Sequence, residues 1–206
     1  MPTGVDFTGT TRHLVRIAGA IAGAEPGVTR RVMTEANGHV DPIEVDEVLL
    51  QSYLFAGFPR TLNAAGIWRE LSGTPAPAGD VLASVEYAPT WTAAGEAACR
   101  TVYGPVYQTL RDNVRALHPA LDTWMVVDGY GKVLSRPALG LLLRELCIVA
   151  ACAASTQRPQ LRSHLRGALN CGATRDDLAH TLATLTDVIT PGAMTAARDE
   201  LARLKE

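Results

Sequence analysis

Apolar positions recur at helical spacing along most of this chain, and no stretch shows sustained period-two alternation. The clearest stretch is Arg136 to Gly172, RPALGLLLRELCIVAACAASTQRPQLRSHLRGALNCG. Its pattern predicts a helix that opens at Pro137 and stays apolar through Cys152, a polar break over Ser155 to Pro159, and a second helix from about Gln160 to Asn170. Cys171-Gly172 ends the second helix, glycine supplying the left-handed residue that a C-terminus favours.

Met1 to Thr8 reads as a loose start, and Thr10 or Thr11 caps a small-residue helix through about Ala24. Val28 to Ala36 forms a second helix ended by Asn37-Gly38. Asp41-Pro42 opens a strong helix to Gly57, with Asp as cap, Pro in the first turn and Glu44 at its positive end. Phe58-Pro59 turns the chain into another helix ending near Leu71. SGTPAPAGD at Ser72 to Asp80 reads as a linker, and Val81 to Ala88 as a short extended segment. Helices resume at 90–103, 105–117 and 119–128, and Asp128-Gly129-Tyr130-Gly131 reads as a tight turn. A helix at 175–189 and a last one from Pro191 complete an all-α chain.

The two ends of the chain match each other. HLVRIAGAIAG (13–23) aligns with LLLRELCIVAA (141–151), setting Arg16 against Arg144 and Ile17 against Glu145. Caps, breaks and helix order then agree down to Pro59 and Pro191. This predicts an internal duplication, with a first helical repeat at 1–72, a linker at 73–89 and a second repeat at 90–206. The first copy keeps the aromatic segment YLFAGFP and the second carries Glu145 and His164, so a composite pocket could join that pair to Tyr53 and Phe58.

Composition narrows the classes. A net charge of -2 carries no footprint for nucleic acid or an anionic membrane. Arg16, Arg144 and Glu145 interrupt the longest apolar runs before they could span a bilayer. Without a secretory pattern at the start, cytoplasmic residence is the expectation. Cys99, Cys147, Cys152 and Cys171 contain no CxxC, so neither a zinc site nor a redox dithiol is expected, and free thiols are.

Candidate chemistry centres on Glu145, which sits among leucines, isoleucine and valine at a height similar to His164 on the facing helix. A Glu–His pair in apolar surroundings is a proton-transfer device. The other arrangement open to these residues pairs Glu145 with an arginine and leaves His164 in solvent. Cys152 follows Glu145 by seven residues, near the same face, and Arg158, Arg162 and Arg166 form a stripe read as solvated.

The stretch RPALGLLLRELCIVAACAA…LRSHLRGALNCGATRDDL resembles the signature of the carboxymuconolactone decarboxylase family, the all-helical group that includes alkylhydroperoxidase D. VDEVLLQSYLFAGFPRTLNA resembles the segment that usually follows it, displaced here into the first copy. The resemblance implies an alkylhydroperoxidase D-like helical fold and a decarboxylase-like enzyme needing no metal or organic cofactor. It casts His164 as general acid/base and Glu145 as its partner. Arg144 or Arg136 would hold substrate carboxylates, and Tyr53, with Phe58 and Cys152 in the pocket wall, would bond a lactone oxygen. The peroxidase branch has two cysteines where this chain has Gln157 and Gln160, which argues against peroxidase chemistry. An antioxidant role through Cys152 and a non-catalytic helical binding or assembly role are the alternatives. Family members form rings of small subunits, which implies a trimer of duplicated chains acting on a small molecule.

Overall fold

The structure, a computed structural model, describes residues 5–204, and no strand occurs among them. The helices are α1 (Thr10–Gly23), α2 (Pro26–Ala36), α3 (Pro42–Ser72), α4 (Ala88–Tyr103), α5 (Tyr107–Leu117), α6 (Pro119–Trp124), α7 (Leu141–Ala154), α8 (Arg158–Asn170), α9 (Arg175–Ala183) and α10 (Pro191–Ala202). A π-helical segment, Met125–Leu134, follows α6. The chain packs as two units, one made of Met1–Pro75 with Ala138–Glu206 and the other of Ala76–Pro137. No helix of the described residues is long and apolar enough to cross a membrane.

Helix boundaries follow local chemistry. The Asp41 side chain accepts from the Ile43 amide with Pro42 in the first turn, and Thr174 and Asp177 form a reciprocal capping box. Inside α3, Gly57 adopts φ 78°, and together with Pro59 it breaks the helix into two arms. The helix order α1, α2 and two arms of α3 thus recurs as α7, α8, α9 and α10, with Pro59 and Pro191 opening the last member of each set.

In the first unit the core is Leu14, Ile17 and Ile21 of α1 against Leu146, Ile148 and Val149 of α7, all essentially inaccessible. The small residues of α1 allow this contact: a Cβ on Gly23 would collide with the Ala154 carbonyl, and Gly19 lies against Ala150. Contacts that advance together, 19 to 150 and 23 to 154, mean that the two helices run in the same direction.

Two buried arginines tie the matching segments together reciprocally. Arg16 donates to the Thr184 carbonyl and to the Asp187 and Glu35 carboxylates. Arg144 donates to the Leu139 carbonyl, Gln51 Oε1 and Glu47 Oε2. Each arginine on the first helix of one set therefore reaches the third helix of the other set or the turn after it.

Several expectations give way to the structure. Val81 to Ala88 is not extended but forms two short 3-10 turns, Val81–Ala83 and Val85–Tyr87. Asp128–Gly131 is not a tight turn; its glycines lie inside the π-helical segment, where a Cβ on Gly131 would meet the Trp91 carbonyl. The helix carrying Glu145 opens at Leu141 behind Gly140 rather than at Pro137. The intervening Leu139 is buried, and its carbonyl accepts from Arg144 Nε. Similarly, α9 stops at Ala183, short of 189, because Arg16 engages the Thr184 carbonyl and the Val188 amide turns back to Leu185. Part of the expected loose start, Met1 to Gly4, lies outside the described residues. From Val5 the chain is docked, the Val5 amide donating to Asp177 and Phe7 stacking on His180.

Candidate active site

The α7–α8 pair brings Glu145 and His164 together, Glu145 Oε2 lying 2.8 Å from His164 Nδ1. The turn at Ser155 to Gln157 reverses the chain so that the two helices pack side by side, with Leu161 and Leu165 buried around the histidine. Glu145 is 0% exposed and His164 6%, so the contact is shielded from water. Its second oxygen, Oε1, is buried with no hydrogen-bond partner among the described residues. A carboxylate oxygen in that setting is an acceptor of the kind that a ligand hydroxyl or acid proton satisfies.

Phe55, on the first arm of α3, meets the His164 ring edge-on at 5.7 Å between centroids and limits its rotation. The aromatic segment of α3 therefore reaches the histidine of α8 through Phe55. Tyr53 and Phe58 stack on each other at 5.1 Å, and Phe58 is 63% exposed.

The thiols near the pair are suppressed as nucleophiles. Burial, and then the Glu145 charge, pushes the Cys152 thiol up to about 12, and the same two causes push half-buried Cys171 up to about 12. Cys171 was not singled out in the sequence, although it follows His164 by the same seven residues that separate Cys152 from Glu145. None of the four cysteines is in a disulfide.

Two arginines expected at substrate carboxylates are engaged elsewhere. Arg144 is fully buried and its guanidinium binds Glu47 at 2.6 Å, so Glu47 supplies the carboxylate expected of a substrate. Arg136 belongs to the second unit, where it pairs with Asp80 at 2.9 Å. Within the stripe on α8, Arg158 and Arg162 are not simply solvated but grip Glu200 of α10, while Arg166 is exposed.

A cleft beside Arg60 and Thr29 and a cleft beside Trp91 and Lys132 are not lined by Glu145 or His164. The buried pair is the better candidate for chemistry, because it joins an acid and an imidazole out of water. No group of described residues has the make-up of a metal site.

The model of the carboxymuconolactone decarboxylase family matches residues 123–202, a span that holds both Glu145 and His164. Over 175 residues the chain is 32% identical to Peroxisomal protein 2 of Schizosaccharomyces pombe, covering 82% of this chain and 81% of that protein. With an all-α fold, the matched span and this relative, the chain belongs to the carboxymuconolactone decarboxylase family.

Proposed function

We propose that the chain is a cofactor-free enzyme that decarboxylates or otherwise processes a small lactone or carboxylic acid. His164 is the general acid/base and Glu145 positions it. The observation that supports this reading is the 2.8 Å contact between two buried side chains drawn from different helices.

When Glu145 Oε2 accepts the Nδ1 proton, the tautomer is set and Nε2 becomes the nitrogen that exchanges a proton with substrate. Loss of CO2 breaks the bond between the carboxylate carbon and its neighbour, and the electron pair passes to that neighbour or into an adjoining carbonyl. The imidazolium then protonates the resulting carbanion or enolate, a step typically worth about 10²–10⁴ in rate. The neutral imidazole recovers its proton from solvent or from the next substrate acid. Tyr53 and Phe55 supply the aromatic wall. The thiol-dependent alternative draws no support from Cys152, whose thiol stays protonated near neutral pH.

The test is release of labelled CO2 from a panel of muconolactone-type acids. The wild-type chain turns over at least one, and His164→Gln loses about 100-fold or more of that rate with unchanged melting temperature and particle size. No release by the wild type, or full release by His164→Gln, overturns the reading. Loss of assembly alone in that variant marks a scaffolding role.

A trimer of chains is the proposed assembly, supported by Ile43, Leu50, Phe58 and Leu62, apolar side chains of α3 left exposed on the single chain. The proposed compartment is the cytoplasm. The name of the fission-yeast relative places that protein in peroxisomes, and cell fractionation distinguishes the two for this chain.

A further inference from the structure

The second unit holds a cleft of about 200 Å³ whose walls include Tyr87, Thr90, Trp91, Lys132, Arg136 and Pro137. Two independent features converge on it. The first is backbone: Lys132 is carried by the π-helical segment Met125–Leu134, a conformation found in well under 1% of residues and concentrated at functional sites. Gly95 and Gly131 permit that wide helix to lie directly against α4, so the segment is held in place by packing.

The second feature is charge. Arg136 is balanced by Asp80 at 2.9 Å, whereas Lys132 pairs with no carboxylate of the described residues and instead sits 5.1 Å from the centre of the Trp91 ring. The cleft therefore carries a surplus positive charge over an aromatic face. The Trp91 ring is fixed in turn, its indole N–H donating to the Leu82 carbonyl at 3.2 Å. The hydroxyls of Thr90 and Ser135 both donate to backbone carbonyls. Lys132 is thus the cationic side chain that the cleft offers to an anion.

We infer that this cleft is a binding site for a small monocarboxylate with a flat apolar body, its carboxylate on Lys132 and its body against Trp91 and Pro137. One surplus charge matches one carboxylate. The volume is below the roughly 300–1,000 Å³ of sites for drug-sized ligands, which restricts the occupant to a small acid. This site is separate from Glu145 and His164 and does not depend on their role.

Benzoate is the probe, titrated into the full-length chain while the indole N–H resonance of Trp91 is followed by NMR. A single saturable shift is expected, and the neutral isostere benzamide should not reproduce it. Lys132→Met, which keeps the apolar stem, should weaken benzoate binding about tenfold or more at an unchanged melting temperature. His164→Gln should bind benzoate as the wild type does. No saturable shift, equal binding by Lys132→Met or by benzamide, or loss of the shift in His164→Gln would each overturn the inference.

Discussion

Arg144 and Glu145 are adjacent on α7 and both fully buried, yet they face different partners. The arginine is closed into a structural tie by Glu47 and Gln51, while the carboxylate meets an imidazole with one oxygen and keeps the other unbonded among the described residues. Removing one member of a buried ion pair strands the other charge. Glu47→Ala should therefore cost about 3–5 kcal/mol in urea denaturation, and the double variant Glu47→Met with Arg144→Met should recover most of that loss. Equal destabilisation by the single and double variants would contradict the tie. The Glu145–His164 encounter was legible in the sequence because an acid inside an apolar run calls for a partner, and one hairpin sets both residues at one height. Glu47 was not legible as the partner of Arg144, because the two lie 97 residues apart and only packing of α3 against α7 brings them together. Phe55 was not legible between Tyr53 and Phe58 because nothing local sets it apart from them, and only the packing of α3 on α8 brings it to the histidine.

Helix starts at side-chain caps, as at Asp41 and Thr174, and helix ends at left-handed glycines, as at Gly38 and Gly172, can be read from local chemistry alone. Boundaries set by a distant side chain cannot. Arg16 stops α9 early by engaging the Thr184 carbonyl, and the glycines at 129 and 131 serve a π-helical segment packed on α4 rather than a turn. The close α1–α7 contact makes a specific prediction: Gly23→Ala drives a methyl into the Ala154 backbone and should destabilise the first unit by about 1–3 kcal/mol. A chemical denaturation midpoint equal to wild type would refute that contact. The tie between α8 and α10 predicts a pH response. Hydrogen bonds from Arg162 and then Arg158 pull the Glu200 carboxyl from its ordinary 4.5 down to about 2. A carboxyl lowered in the folded state adds stability that is complete above the ordinary value and lost as pH falls toward the folded one. The stability gap between wild type and Glu200→Gln should accordingly shrink between about pH 4.5 and 2, and a gap constant across that window would argue against the clamp.

For the whole molecule, the reciprocal reach of Arg16 and Arg144 gives the repeated helix order a physical purpose. Each set of four helices is held to the other through a buried guanidinium, and the aromatic arm of one set meets the histidine of the other. The recurring helix order was visible in the sequence through its caps and prolines; the separate packing of Ala76–Pro137 was not, since nothing local marks Pro137 as a boundary. If exposed apolar side chains of α3 form the proposed trimer contact, Leu62→Glu should lower the mass seen by light scattering while leaving helicity intact. A wild-type monomer would contradict that assembly. Whatever the assembly, the proposed chemistry requires the buried imidazole to be held by the carboxylate. The most direct check is nitrogen-15 NMR of the His164 side chain in wild type and in Glu145→Gln. A proton on Nδ1 with a strongly downfield, hydrogen-bonded signal that shifts in Glu145→Gln is the predicted result. A rapidly exchanging imidazole spectrum identical in the two proteins would contradict it.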